Sequence, residues 1–243
     1  MTTHRTTHPW DSTMYFTHAD AIWNTHPDLR ALVVVADNVR AAKNDSDRLG
    51  DLAKRVEERQ AAAGEAEMPE IAAWREAFSR MGLKPTQYRC ASEALLRRYR
   101  KSHDMPSFHP LVDYLNFVSM AYGIPIAAFD RAHITEGITV RPADGSETYQ
   151  TFQGETEHPA PGEVVFADPE GNAHARRWTY RQSARSVVSA ETDRVLLVIE
   201  AHHASAAQDL AALKSELDQG LAGLGVRVTD TTVFDPAQRR LEF

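Results

Sequence analysis

The stretch from His109 to Asp130, HPLVDYLNFVSMAYGIPIAAFD, constrains this chain most, because a helical period ends within it and strand-like patterning follows it. Read as a helix, it puts Leu111, Leu115, Val118 and Tyr122 on one face. Asp113, Asn116 and Met120 fall on another, with Ser119 beside them. Pro110 suits a first turn, where its missing N–H costs nothing, and Gly123 followed by Pro125 stops a helix near Tyr122. From Gly137 onward the apolar residues alternate, which is the period of a strand.

Segments on either side extend this division. A loose lead-in is expected over residues 1–24, with a short strand around 14–16. The β-branched run at 30–39 predicts a buried strand. Helical spacing of Leu49, Leu52 and Val56 predicts a surface helix over 46–63, and that of Ile71, Trp74 and Phe78 a second over 69–81. A third is expected over 92–101, capped by Ser92 with Glu93 just inside. Two hairpins follow, one joining 138–141 to 148–152 through Asp144-Gly145, the other joining 163–167 to 173–179 through residues 168–171. A strand over 194–201, a closing helix over 206–224 and a last strand over 226–234 complete the chain. The expected class is α+β, with N-terminal helices packed on a mostly antiparallel mixed sheet. Without repeats or a Pro- or Ser-rich linker, residues 1–243 read as one structural unit.

Length and composition set limits on function. The chain has 243 residues, 42% hydrophobic and 25% charged, enough to bury a substantial core. Its apolar runs are too short to span a bilayer and its start lacks a basic and apolar leader, so a cytoplasmic protein is expected. The single cysteine, Cys90, excludes an internal disulfide and a multi-cysteine zinc site, and reads as a small buried or half-buried side chain. A net charge of −7 argues against nonspecific coating of nucleic acid, yet leaves room for RNA on a local basic patch.

Three groups of residues are candidates for chemistry. Asp113, Asn116, Ser119 and Met120 share part of the organising helix. Arg176, Arg177, Trp178, Tyr180 and Arg181, continuing to Gln182, interleave cations and rings as a single-stranded RNA end requires, guanidinium on phosphate and ring on base. As a strand, this run would put Arg176, Trp178 and Tyr180 on one face, with solvated charges around a core tryptophan as the plainer alternative. Arg97, Arg98 and Lys101, with Arg100 and Tyr99 among them, end a helix and either sit in water or meet an RNA backbone. The histidines lack metal-ligand spacing: neighbours His202 and His203 would face opposite ways, and His103 and His109 have no partner carboxylate. Neither a metal nor a cofactor is therefore expected.

A set of ordered matches adds to these readings. Leu111-Val112-Asp113, Asn116, Val118, Gly123, Pro125 and Ala128-Phe129-Asp130 belong to it, as do Gly137-Ile138, Val140-Arg141, Gly162-Glu163, Ala167-Asp168, Glu191-Thr192 and Val195-Leu196-Leu197. Over roughly 72–202 the chain resembles the editing domain, or B3/B4 module, of phenylalanyl-tRNA synthetase beta chains. It more closely resembles free-standing bacterial proteins made of that module. The resemblance implies hydrolysis in trans of the ester joining a wrong amino acid to tRNA, with the acceptor end of tRNA, rather than DNA or a membrane, as partner. It also implies that the organising helix borders a pocket between two halves of the module, where Asn116 orients a substrate group. Ala127 stands where the synthetase has a histidine, and Tyr180-Arg181-Gln182-Ser183 where it has a glycine-rich loop ending in a glutamate that recognises the tyrosine hydroxyl. Tyrosine specificity is thus not carried over, and Glu136 and Gln182 are the polar residues expected as replacements. The alternative is a noncatalytic module that binds tRNA or a small amino-acid-like ligand.

Overall fold

A computed structural model of the protein describes residues 13–243; the part of the expected lead-in that covers residues 1–12 lies outside the described residues. The chain begins with β1 (Tyr15–His18) and α1 (Asp20–Thr25), then β2 (Arg30–Asp37), an apolar strand buried along its middle. Four helices follow: α2 (Ser46–Ala62), α3 (Pro69–Arg80), α4 (Ala91–Ser102) and α5 (Pro110–Tyr122). Then come β3 (Ile126–Asp130), β4 (Gly137–Pro142), β5 (Tyr149–Gln150), β6 (Thr156–Glu157), β7 (Val164–Ala167), β8 (Ala173–Arg176), β9 (Arg181–Gln182) and β10 (Val195–Ala201). α6 (Ala206–Leu224), β11 (Arg227–Phe234) and β12 (Arg240–Glu242) close the chain.

Local chemistry accounts for the helix ends. The Asp45 side chain accepts from Arg48 N at 3.0 Å and starts α2. Pro110 occupies the first turn of α5 and the His109 ring accepts from Leu111 N at 3.2 Å, while Gly123, at φ +69°, takes the left-handed conformation that ends it. Ser92 is not the cap of α4, because Cys90 holds that position. Ser92 is buried inside the helix, and its hydroxyl donates to Gly123 O at 3.0 Å, fastening α4 to the end of α5.

The strands divide between two large sheets rather than forming one. One has six strands in the order β12-β1-β4-β7-β8-β9, and the other four in the order β11-β2-β10-β3. Among the described residues all pairings between these strands are antiparallel except β1 with β4, so the class is α+β, as the hydrophobic periods predict. The first expected hairpin is corrected: β4 pairs with β1 and β7, whereas β5 pairs with β6 in a separate two-stranded sheet. The cause is Glu147, a fully buried carboxylate that accepts from Asp144 N (3.1 Å), Gly145 N (3.0 Å) and Arg141, and so turns the chain away from β4. The second hairpin, β7 with β8, forms as expected but stops at Arg176.

The two sheets face each other across one core. Phe16, Ile138, Val140 and Phe166 from the six-stranded sheet join Phe129 and Val198 from the four-stranded sheet in a single buried cluster, and the rings of Phe129 and Phe166 lie 5.5 Å apart. α3, α5 and α6 cover the four-stranded sheet; Trp74 of α3 donates from Nε1 to Glu200 O at 3.2 Å. Among the described residues no helix is long and apolar enough to cross a membrane.

Candidate functional site

Where β8 gives out, the backbone does something that alternation does not foresee. Arg177 and Trp178 both take left-handed conformations, at φ +47° and +58°, and the chain rolls Trp178 into the core. Arg176, Trp178 and Tyr180 therefore share no face. Arg176 is buried and committed to Glu163, in two bonds of 2.8 and 2.9 Å, and to Glu157. A guanidinium so paired is a structural staple and unavailable to phosphate.

The roll opens a cavity of about 60 Å³ between the sheets. Ile126, Ala127 and Val198 wall it from the four-stranded sheet, and Phe166 and Ala175 from the six-stranded one. Trp178 and the segment Thr179 to Gln182 form the rim, with Ala91 at the start of α4. In this apolar lining stands Glu200, the one acid in strand β10, and it is buried. Its Oε1 accepts from Trp178 Nε1 at 3.0 Å and lies 2.7 Å from His18 Nε2, while no hydrogen bond reaches Oε2 among the described residues. Thr179 Oγ1, on the rim, is buried without a partner. A buried polar atom left unpaired costs about 1–3 kcal/mol, so the Thr179 hydroxyl marks the rim of the cavity as a place shaped for something else.

Outside the rim, cations and rings do interleave, through side chains brought from two segments. The Tyr88 and Tyr180 rings meet edge to face at 5.2 Å. The Arg177 guanidinium lies 4.8 Å from the Tyr88 ring centre and 5.8 Å from that of Tyr180, and Arg181 lies 5.4 Å from Tyr180. Arg177 is half-buried, with Nε 3.8 Å from Glu163 Oε2, whereas Arg181 is exposed.

The other expected residues lie elsewhere or serve structure. Asn116 lines a separate pocket of about 200 Å³ with Asp113, Phe117 and Met105, so the helix and the arginine segment do not close on one cleft. Asp113 accepts from Ser107 Oγ (2.5 Å) and Phe108 N (2.9 Å), Ser119 donates to Ile124 O (2.7 Å), and Met120 is fully buried. The reason is that α5 is enclosed by α2, α4, α6 and β3, so its polar side chains anchor the loops at its two ends. Gln182 does line the cavity, but its Nε2 donates to Ala128 O at 2.7 Å. Glu136 is exposed on the turn before β4, outside the lining. Arg97 joins Arg75 and Arg89 around the buried Glu93, and Arg100 binds Glu65; Arg98 and Lys101 point to solvent. Burial pushes the Cys90 thiol up to about 11, which removes it as a nucleophile at neutral pH.

Glu200, His18 and Tyr88 lie outside the residues the sequence marks, and Thr179 falls within the Arg176–Gln182 run without a role of its own. The available signal was Glu200, a lone charge inside the apolar run VLLVIEA. Metal-ligating groups come together once among the described residues, in Glu70, His203 and Asp209, whose ligand atoms lie within 4.8 Å of one another. Glu70 already pairs with Arg59 at 2.9 Å, and His203 Nε2 with Asp209 at 2.8 Å.

No curated protein matches the chain in sequence. Among solved structures, it is similar to an N-terminal fragment of the phenylalanyl-tRNA synthetase beta-subunit from Pyrococcus horikoshii, at 10% identity and a TM-score of 0.49. That match covers 93% of this chain and 53% of the fragment, so the chain spans about half the fragment's length. The sequence profile described as the B3/4 domain matches residues 73–220, more than half of the sequence, and the chain belongs to the B3/4 domain family.

Proposed function

We propose that this chain receives the aminoacylated end of a tRNA at the cavity between the sheets and hydrolyses the ester in trans, as an editing deacylase. The observation that carries the reading is the buried Glu200 carboxylate facing an apolar cavity, with Arg177, Tyr180, Arg181 and Tyr88 gathered outside. Rings and guanidinium groups suit a terminal nucleotide and its phosphates, and a recessed polar floor suits the amino acid attached to it. An aminoacyl ester is already activated. Holding it where water reaches the carbonyl, with the Thr179 hydroxyl beside the cavity as a donor, supplies catalysis by position and by stabilising the developing oxyanion.

A specific observation also favours the noncatalytic reading. Asn116, expected to orient a substrate group, lies at another pocket, and of the expected polar replacements Gln182 has its amide tied to Ala128 while Glu136 lies outside the lining. A screen of mischarged tRNAs separates the two. Release of an amino acid from any of them supports the deacylase, and saturable binding with the ester intact supports the binding module. Neither release nor binding across a broad panel ends both.

A further inference from the structure

Which amino acid the cavity takes is a question its size and charge address; the answer rests on the cavity being the seat of the aminoacyl group. We infer that the cavity holds a small amino acid, of the size of glycine, alanine or serine, through a contact between its α-ammonium and Glu200.

Size comes first. A single water needs roughly 10–15 Å³, so the cavity of about 60 Å³ has room for only a few heavy atoms. The α-amino group, α-carbon and carbonyl of an aminoacyl unit take most of it and leave space for one or two side-chain atoms. A benzene-sized ring calls for a cavity of about 150 Å³, more than twice this volume. The walls cannot give way cheaply, because Phe166 and Trp178 are packed in the core that joins the sheets, and such cores are filled close to crystal density.

Charge comes second. Glu200 is a fixed acceptor: Trp178 and His18 hold Oε1, which leaves Oε2 for a third donor. An ammonium group meets a carboxylate in an apolar surround with a charge-assisted bond, whereas a hydroxyl or amide there gains less. The distribution along the site agrees, with an acid at the cavity floor and Arg177 and Arg181 outside the rim. An aminoacyl nucleotide carries the complementary order, an ammonium at one end and phosphate at the other. Ala127 and Ala175 line the cavity with methyl groups and offer nothing to bind a phenolic hydroxyl.

The test is calorimetric titration of the native protein with 3′-amino-3′-deoxyadenosine acylated on its 3′-nitrogen, an amide in place of the labile ester. Alanyl, tyrosyl and N-acetylalanyl forms are compared. The alanyl form should bind about tenfold or more tighter than either other, since one lacks the fit and the other the ammonium. Glu200→Gln, with its fold checked by circular dichroism, should lose the preference for the free amine; the ligand series on the native chain decides the matter if that variant does not fold. Equal or tighter binding of the tyrosyl form, indifference to acetylation, or no binding by any of the three overturns the inference. A chain that deacylates only tRNAs bearing large amino acids would refute the small-residue assignment and leave the deacylase standing, whereas absence of both binding and deacylation removes the two together.

Discussion

Single residues in the core make commitments that a pattern of apolar and polar letters does not display. Behind Glu200, the His26 ring lies 4.8 Å from Trp178 and 5.5 Å from His202, and His202 lies 4.5 Å from Trp74. Burial, with the Arg80 charge second, pushes His26 down to about 4, and burial pushes His202 well below its ordinary value. The unfolded chain takes these protons near 6.5 and the folded chain only at lower pH, so stability is full above 6.5 and drains as pH falls toward 4. His26 alone accounts for at most about 3 kcal/mol of that loss. Asp168 adds to it only lower: burial alone would raise its carboxyl, but hydrogen bonds from His174 and Asn172 prevail and hold it at about 2. The urea midpoint should therefore fall between pH 7 and pH 4.5, and by less in His26→Leu. A midpoint flat across that interval would mean the rings are not buried as neutral groups. The sequence does not display this, because His26 and His202 lie far apart along the chain and meet only in the folded core.

Elements were the most legible scale. Long periodic segments with a cap or a stopping glycine were found nearly to the residue, as α5 and α6 show, because helix periodicity and end signals are local. Short pieces were not: α1 has six residues, β12 has three, and β5 finds a partner different from the expected one. The run from Arg176 to Tyr180 misled because alternation presumes a strand, and two left-handed residues had replaced it. Glycines within helices offer a paired check on the packing. Gly50 lies exposed in α2 with nothing near a would-be Cβ, so Gly50→Ala should stabilise by about 0.5–1 kcal/mol. At Gly220 of α6 a Cβ would fall 1.9 Å from Tyr114 Oη, the hydroxyl that donates to Glu216 O at 2.9 Å. Gly220→Ala should cost about 3 kcal/mol by forcing α5 and α6 apart, and chemical denaturation reads both. Equal and small effects of the two substitutions would contradict this helix contact.

At the scale of the molecule, the α+β class follows from the helix stop at Gly123 and the alternation that begins at Gly137, but the division into two sheets does not. Pairing is decided by contacts far apart in the chain, such as β1 with β4 and β2 with β10, and no local pattern encodes them. The cavity was illegible for the same reason, since its walls come from β3, β7, β8 and β10. Because buried residues of both sheets form one cluster, thermal unfolding should be a single transition, with calorimetric and van't Hoff enthalpies equal. Two resolved transitions would show that the sheets belong to separate units. Both the proposed deacylation and the small-residue preference depend on the cavity being where ligand sits. Ala127 lines it from β3, half-buried and paired with Val198, so Ala127→Leu fills the space from a strand that has room at its surface. Titrating native protein and this variant with the alanyl-adenosine amide tests the claim most directly. Binding to the native chain that falls about tenfold or more in a variant of unchanged circular dichroism is the predicted result, and equal affinity in the two would contradict it.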